Sequence, residues 1–262
     1  MNLQLTDKLA LVSGSTKGIG LAIVTSLARE GARVIVNGRS EQSVAEAHAS
    51  VRANVPDAKL EGFAGDLSTA PVAAQLVARF PAVDILVNNL GMYGAQTFEE
   101  IADADWERYF QVNVLSGVRL SRAYLPGMKQ HNWGRIVFIS SESGIKIPTE
   151  MIHYGVTKTA QLAVSRGLAE TCAGTGVTVN AVLPGPTRSD SVNEFVKQLS
   201  GGAPFEDFER EFFKTVRPSS LLKRFETPEE IASMVTYICS PLASGTNGAA
   251  LRVDGGVVQS CF

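Results

Sequence analysis

The sequence predicts a single α/β domain: a doubly wound parallel sheet with helices on both faces. Three observations predict it. Short apolar, partly β-branched runs alternate with segments of helical periodicity, the pattern of βαβ units. The first run, Leu9–Val12, leads into Gly14-Ser15-Thr16-Lys17-Gly18-Ile19-Gly20, a glycine-rich turn opening a helix. A chain of 262 residues suits one large domain with a two-sided core, so residues 1–262 read as one unit.

Composition excludes several function classes. A net charge of −2 gives no electrostatic footprint for nucleic acid or an anionic membrane. Cys172, Cys239 and Cys261 are scattered and odd in number, which fits neither a disulfide framework nor metal-ligand spacing and favours a reducing cytoplasm. Thr6, Asp7 and Lys8 interrupt the start, so no signal segment is expected. No apolar run reaches the roughly 18 residues of a membrane span.

The first strand reads as buried on both faces. Gly14, Gly18 and Gly20 lack Cβ atoms and let a phosphate approach the backbone, and the helix N-terminus offers N–H groups and a positive dipole end. The Gly-x-x-x-Gly-x-Gly spacing resembles that of the short-chain dehydrogenase/reductase family in its single-domain, Rossmann-type form. That resemblance implies a nicotinamide dinucleotide held by Gly14, Ser15, Lys17, Gly18, Ile19 and Gly20. The family usually begins the motif with Thr. Ser13 keeps the hydroxyl and with it a possible bond to a neighbouring loop.

The second strand starts at Arg33 and ends in Asn37-Gly38-Arg39-Ser40. An NAD site usually places an acid about 20 residues after the glycines, on the ribose 2′-hydroxyl. No acid lies between Arg33 and Ser40, whereas Arg39 suits a 2′-phosphate and Lys17 adds a second cation. NADP(H) is therefore expected; the alternative is two solvated surface charges. Ser40 caps the next helix, with Val44, Ala47 and Val51 on one face.

A third strand near Leu60 to Ala64 runs into Gly65-Asp66-Leu67. The resemblance places Asp66 and Leu67 at the adenine; a helix-capping Asp is the other reading. The fourth strand, Val83 to Asn88, ends in Asn89-Leu90-Gly91, similar to the family's Asn-Asn-Ala-Gly motif. There Asn89 and Gly91 would meet the cofactor, and Leu90 is larger than the usual Ala. A helical segment from Asp103 to Gln130 carries Asn113, a weak helix former. By resemblance Asn113 is the catalytic Asn, where a helix distortion holds a water; an exposed polar residue is the plain reading.

The fifth strand, from Arg135, ends in Ser140-Ser141, and thirteen residues later comes Tyr154-x-x-x-Lys158. Four residues apart on a helix, Tyr154 and Lys158 share a face. Tyr ordinarily titrates at about 10. A neighbouring ammonium favours phenolate, so Tyr154 is expected to be acidified and to act as general acid in ketone reduction or general base in alcohol oxidation. Ser141 would donate to the substrate oxygen. Lys158 would also hold the nicotinamide ribose, and Asn113 a water leading to solvent. His153 points elsewhere on the helix and reads as pocket wall.

The sixth strand begins at Val177 and ends in Pro184-Gly185, which resembles the family's turn under the nicotinamide, with Thr187 contacting the carboxamide. Residues 186–226 are less regular and read as a lid. Phe195, Phe205, Phe208, Phe212 and Phe213 are its core or its substrate contacts, with Gly201 and Gly202 between. Thr227-Pro228-Glu229-Glu230 is a helix start, and a last strand lies near Ala250 to Val253.

The resemblance implies hydride transfer between nicotinamide and a small ketone or secondary alcohol, with no metal. A second reading is a 3-oxoacyl-(acyl-carrier-protein) reductase. The places where that branch often carries basic residues hold Asn132 and Thr175, with Lys129 and Arg135 close by. A third is a catalytically silent nucleotide-binding regulatory protein. The family also implies a homotetramer, or a dimer, through the helices 103–130 and 154–173 and the C-terminal strand.

Overall fold

The computed structural model describes residues 2–189 and 204–261. Seven strands form one parallel sheet in the order β3-β2-β1-β4-β5-β6-β7. They are β1 (Leu9–Val12), β2 (Arg33–Gly38), β3 (Lys59–Ala64), β4 (Ile85–Asn88), β5 (Gly134–Ile139), β6 (Val177–Pro184) and β7 (Ala250–Val253). Side chains alternate between the two faces. Ala10, Val12, Val34 and Val36 enter one core layer with Ile23 and Leu27 of α1 (Gly18–Arg29). Leu11 and Ile35 enter the other with Leu76 of α3 (Ala70–Arg79). Both faces are thus apolar, which explains why the strands read as continuous hydrophobic runs.

α2 (Glu41–Asn54) starts on a capping box between Ser40 and Ser43 and buries Val44, Ala47 and Val51. The long helical segment is interrupted as the family pattern implied. α4 (Asp103–Tyr109) passes through a π-helical stretch, Phe110–Leu115, into α5 (Ser116–Gln130). α6 (Ile152–Thr171) follows the fifth strand. Ser140 and Ser141 lie just outside β5, although Ser140 N–H still donates to Val182 O at 2.8 Å. Within the expected lid, α7 (Phe205–Thr215) places Phe205, Phe208, Phe212 and Phe213 around Phe225, with ring centroids 5.0–6.4 Å apart. These four are a local core. Phe195, Gly201 and Gly202 lie outside the described residues. α8 (Pro228–Ile238) begins with the Thr227–Glu230 capping box.

The strand order reverses between β1 and β4. In an open parallel sheet the carboxyl ends on either side of such a reversal diverge and leave a crevice there. Among the described residues no helix is long and apolar enough to cross a membrane.

Candidate active site

The crevice floor is built first by the glycine turn. Gly14 and Gly18 have φ of +59° and +53°, which side chains resist. Lys17, the N-cap of α1, makes no side-chain cap bond. The amides of Gly18, Ile19 and Gly20 have no hydrogen-bond partner among the described residues. A cradle of free N–H groups at a helix N-terminus fits a pyrophosphate. Gly20 also has a packing task. A Cβ there would lie 2.5 Å from Asn89 Nδ2 and 2.7 Å from Gly14 O, so its small size serves internal packing.

Ser15 faces inward. It is fully buried, its hydroxyl donates to Val12 O (2.7 Å) and accepts from Asn37 N–H (3.0 Å), and its own N–H donates to Asn37 O. Both groups are committed inward, because the sharp turn after β1 must be tied to β2. Ser13 does bridge to the neighbouring loop: Oγ accepts from the N–H groups of Asn89 and Leu90, each at 3.0 Å. Asn89 Nδ2 returns two bonds, to Ser13 O and Gly14 O at 2.9 Å. Leu90 leans on Gly14: its Cδ1 would lie 3.1 Å from a Cβ there.

Sequence reasoning missed Asn37. It is 2 % exposed; Oδ1 accepts from Gly14 N–H (2.9 Å), and Nδ2 donates to Phe63 O and Gly65 O (3.1 Å each). The one signal was an amide closing an apolar strand where an acid was sought. Arg39 and Lys17 are exposed and form no ion pair with the described residues. Asp66 is exposed and organises a turn, Oδ1 accepting from Ser68 N–H; Thr69, not Asp66, is the N-cap of α3. The Leu67 side chain, 1 % exposed, belongs to the core, so any contact from it to a ligand is through the backbone.

Ser141, Tyr154, Lys158 and Asn113 converge on the crevice beyond β4 and β5. The Ser141 hydroxyl hydrogen-bonds the Tyr154 phenol and favours its ionised form. It also accepts from Ser143 N–H at 3.1 Å, which starts a tight turn, Glu142–Gly144. Lys158 Nζ lies 5.5 Å from the Tyr154 ring centroid and donates to Ile139 O at 2.9 Å. A Cβ on Gly91 would stand 3.5 Å from Nζ and 3.6 Å from Asn113 Oδ1. A side chain at that glycine would enter the space beside the lysine. Asn113 lies in the π-helical stretch. Its side chain is engaged with Met92 N–H (2.8 Å), Met92 O (3.0 Å) and Thr157 Oγ1 (2.9 Å). Its main-chain carbonyl accepts from Gln161 Nε2. The side chain therefore ties the loop after β4 to α6.

The electrostatics reverse one expectation. Burial pushes the Tyr154 phenol above its ordinary value and brings Lys158 down to about 7. Removing both groups from water disfavours both charges. His153 is 1 % exposed, packs on Tyr109 with centroids 4.0 Å apart, and is held below the usual imidazole range by burial. At the end of β6, Gly185 N–H donates to Val253 O (2.8 Å) and Glu226 Oε2 (3.0 Å). A Cβ there would lie 2.8 Å from the Asp254 backbone. Thr187, 8 % exposed, turns its hydroxyl onto Gly185 O at 2.9 Å.

The family model for short chain dehydrogenases matches residues 8–200. The chain belongs to the short-chain dehydrogenase/reductase family. It is similar to the uncharacterized oxidoreductase YvaG of Bacillus subtilis (strain 168), 47 % identical with all of both chains covered. It is 33 % identical to the 3-oxoacyl-(acyl-carrier-protein) reductase FabG of Aquifex aeolicus (strain VF5), over 98 % of this chain and all of that one. The L-sorbose reductase of Gluconobacter frateurii, solved with NADPH and L-sorbose, superposes with a TM-score of 0.92 at 30 % identity, covering 99 % of this chain and all of that one. As a short-chain dehydrogenase/reductase, the protein is an oxidoreductase of the alcohol–carbonyl couple with a nicotinamide cofactor.

Proposed function

We propose that this short-chain dehydrogenase/reductase is an NADP(H)-dependent reductase of a small, freely diffusing ketone, working in reverse on the secondary alcohol. The observation that carries the reading is the convergence of Ser141 and Lys158 on the Tyr154 phenol. The cofactor supplies the hydride to the carbonyl carbon. Tyr154 gives its proton to the oxygen as negative charge gathers there, and Ser141 donates a second hydrogen bond to the same atom. Lys158 replenishes the phenol's proton and holds the ribose, and Asn113 fixes the loop that carries Gly91.

Arg39 and Lys17, both exposed beside the glycine turn, support NADP(H) over NAD(H). An acidic carrier partner finds little to grip. Asn132 Oδ1 accepts from Gly176 N–H, Thr175 Oγ1 donates to Cys172 O, and Lys129 Nζ donates to Thr171 O. Arg135 is 2 % exposed and bonded to main-chain carbonyls. In this reading the chain works as a homotetramer in the cytoplasm.

The test is NADPH consumption followed by absorbance with acetoacetate, cyclohexanone, L-sorbose and a 3-oxoacyl thioester, alongside Tyr154→Phe. The expected result is turnover of a free ketone that Tyr154→Phe abolishes while still binding NADPH. Undiminished turnover by Tyr154→Phe would sink the assignment. A protein that binds NADPH and turns over nothing would instead be a silent nucleotide binder.

A further inference from the structure

The site contains a buried ion pair that the proposed chemistry leaves without a role. Glu142 directly follows Ser141 and is 3 % exposed. Its Oε1 meets Arg217 Nε at 2.9 Å, and Arg217 is itself 7 % exposed. Glu142 Oε2 is buried with no hydrogen-bond partner. Arg217 comes from far along the chain, just past α7, where its N–H donates to Phe212 O. The guanidinium also reaches Glu150 Oε1 at 3.7 Å, and Glu150 O accepts from Gln96 N–H in the loop after β4. One cation thus joins three segments around the catalytic tyrosine. A second tie sits beside it: Lys146 Nζ donates to Ser219 Oγ, and Ser219 Oγ to Val257 O, both at 2.7 Å.

The turn bearing Glu142 has no slack against α6. A Cβ on Gly144 would lie 3.0 Å from the Lys158 main chain, and one on Gly155 3.1 Å from Ser143 O. Where Glu142 sits therefore fixes Ser141 relative to both Tyr154 and Lys158. Its carboxylate also lies close enough to oppose ionisation of the phenol. The other groups facing Tyr154 are Ser141, Lys158, Tyr93, whose ring meets it edge-on at 6.4 Å, and Tyr109. Two carboxylates, Glu142 and Glu150, share the one guanidinium.

We propose that Arg217 and Glu142 form a charge-compensated positioning pair that sets how readily Tyr154 releases its proton. The inference rests on the catalytic assignment of Tyr154. Neither residue touches the reacting atoms; both act through the phenol. With Arg217 present, the negative charge of Glu142 is largely cancelled, and the phenol ionises more easily. Without Arg217, the buried carboxylate stands uncompensated beside it. The arm that follows α7 is thereby part of the active site, although it supplies no group to the substrate.

The experiment measures phenolate formation by ultraviolet difference absorbance in the NADP+ holoenzyme, with Tyr154→Phe in each background subtracted. Glu142→Gln is expected to lower the Tyr154 midpoint by about one pH unit, as removal of a nearby like charge does. Arg217→Met is expected to raise it, and the double variant to return to the Glu142→Gln value. Arg217→Lys keeps the cation without the fork and is expected to leave the midpoint near that of the wild type. Should Arg217→Met fail to fold, Glu142→Gln, Arg217→Lys and the charge-free double variant still decide the matter. Equal midpoints throughout would overturn the proposal, as would phenolate absorbance that never appears below the pH of unfolding. Because the readout does not depend on turnover, it fails separately from the functional reading, which Tyr154→Phe tests by activity.

Discussion

The side-chain amide of Asn89 fills the space that a Cβ on Gly20 would occupy, with Nδ2 only 2.5 Å from that position. The amide is pinned there by the carbonyls of Ser13 and Gly14. The glycine turn and the end of β4 are therefore one packed unit, and helix α1 is pressed against it at Gly20. Gly18 differs: among the described residues a Cβ there would meet only Ser189, at 3.4 Å, but the residue holds a φ of +53°.

Gly20→Ala is accordingly expected to force the Asn89 amide aside, an overpacking that costs about 1–3 kcal/mol. Gly18→Ala is expected to cost about 1–2 kcal/mol through backbone strain alone. Urea unfolding of both variants checks the two costs, and NADPH fluorescence titration checks that Gly20→Ala also loosens the cofactor. A Gly20→Ala variant as stable as the wild type would mean that the Asn89 contact has no weight.

Much of this was legible in the sequence, for physical reasons. Strand and helix periodicities are local, so the doubly wound sheet and the capping boxes at Ser40 and Thr227 could be read directly. The Tyr154–Lys158 spacing survives any uncertainty in helix boundaries, because four residues always make one turn. What could not be read depends on burial or on distant partners. The direction of the Tyr154 shift is set by desolvation, which no spacing encodes. Ser15 and Asn37 find each other across 22 residues, and Glu142 finds Arg217 across 75. Arg217 stands in an irregular segment with no motif around it, and only the fold brings it to Ser141's neighbour.

The cofactor choice can be tested at Arg39. The side chain is exposed at the end of β2, with no acid among the described residues to neutralise it. A charge-assisted bond to a 2′-phosphate is worth about 1.5–3 kcal/mol, or roughly ten- to a hundredfold in affinity. Arg39→Asp is expected to weaken NADPH by about that factor and to improve NADH, through loss of the cation and gain of an acceptor for the ribose hydroxyl. Comparing kcat/KM for the two cofactors reads the switch, and an unchanged ratio would remove Arg39 from the site.

Thr227 tests the coupling between the segment that follows α7 and α8. Its hydroxyl accepts from Glu230 N–H at 3.3 Å while Glu230 Oε2 accepts from Thr227 N–H at 2.8 Å. Thr227→Ala removes one half of the box, at a cost of about 1 kcal/mol. In a domain of this size that lowers Tm by about 2–4 °C. Calorimetry gives the value, and turnover at a temperature well below Tm is expected to stay near the wild-type level.

Glu226 supplies the pH dependence. It is 3 % exposed, accepts from Gly185 N–H, and is pushed up to about 7 first by burial and then by Glu230 and Asp254. In the unfolded chain the same carboxyl ionises near its ordinary value of 4.5. Between those two values the native state binds a proton that the unfolded state has released. Stability from this group is therefore full below pH 4.5 and lost as pH rises through about 7. A shift of this size corresponds to at most about 3 kcal/mol. Glu226→Gln keeps an acceptor for Gly185 and cannot ionise, so its stability relative to the wild type is expected to improve by up to that amount across the window. Urea unfolding at intervals through the window measures it. Parallel curves for the two proteins would show that Glu226 does not carry the proton and that the turn at Gly185 is insensitive to it.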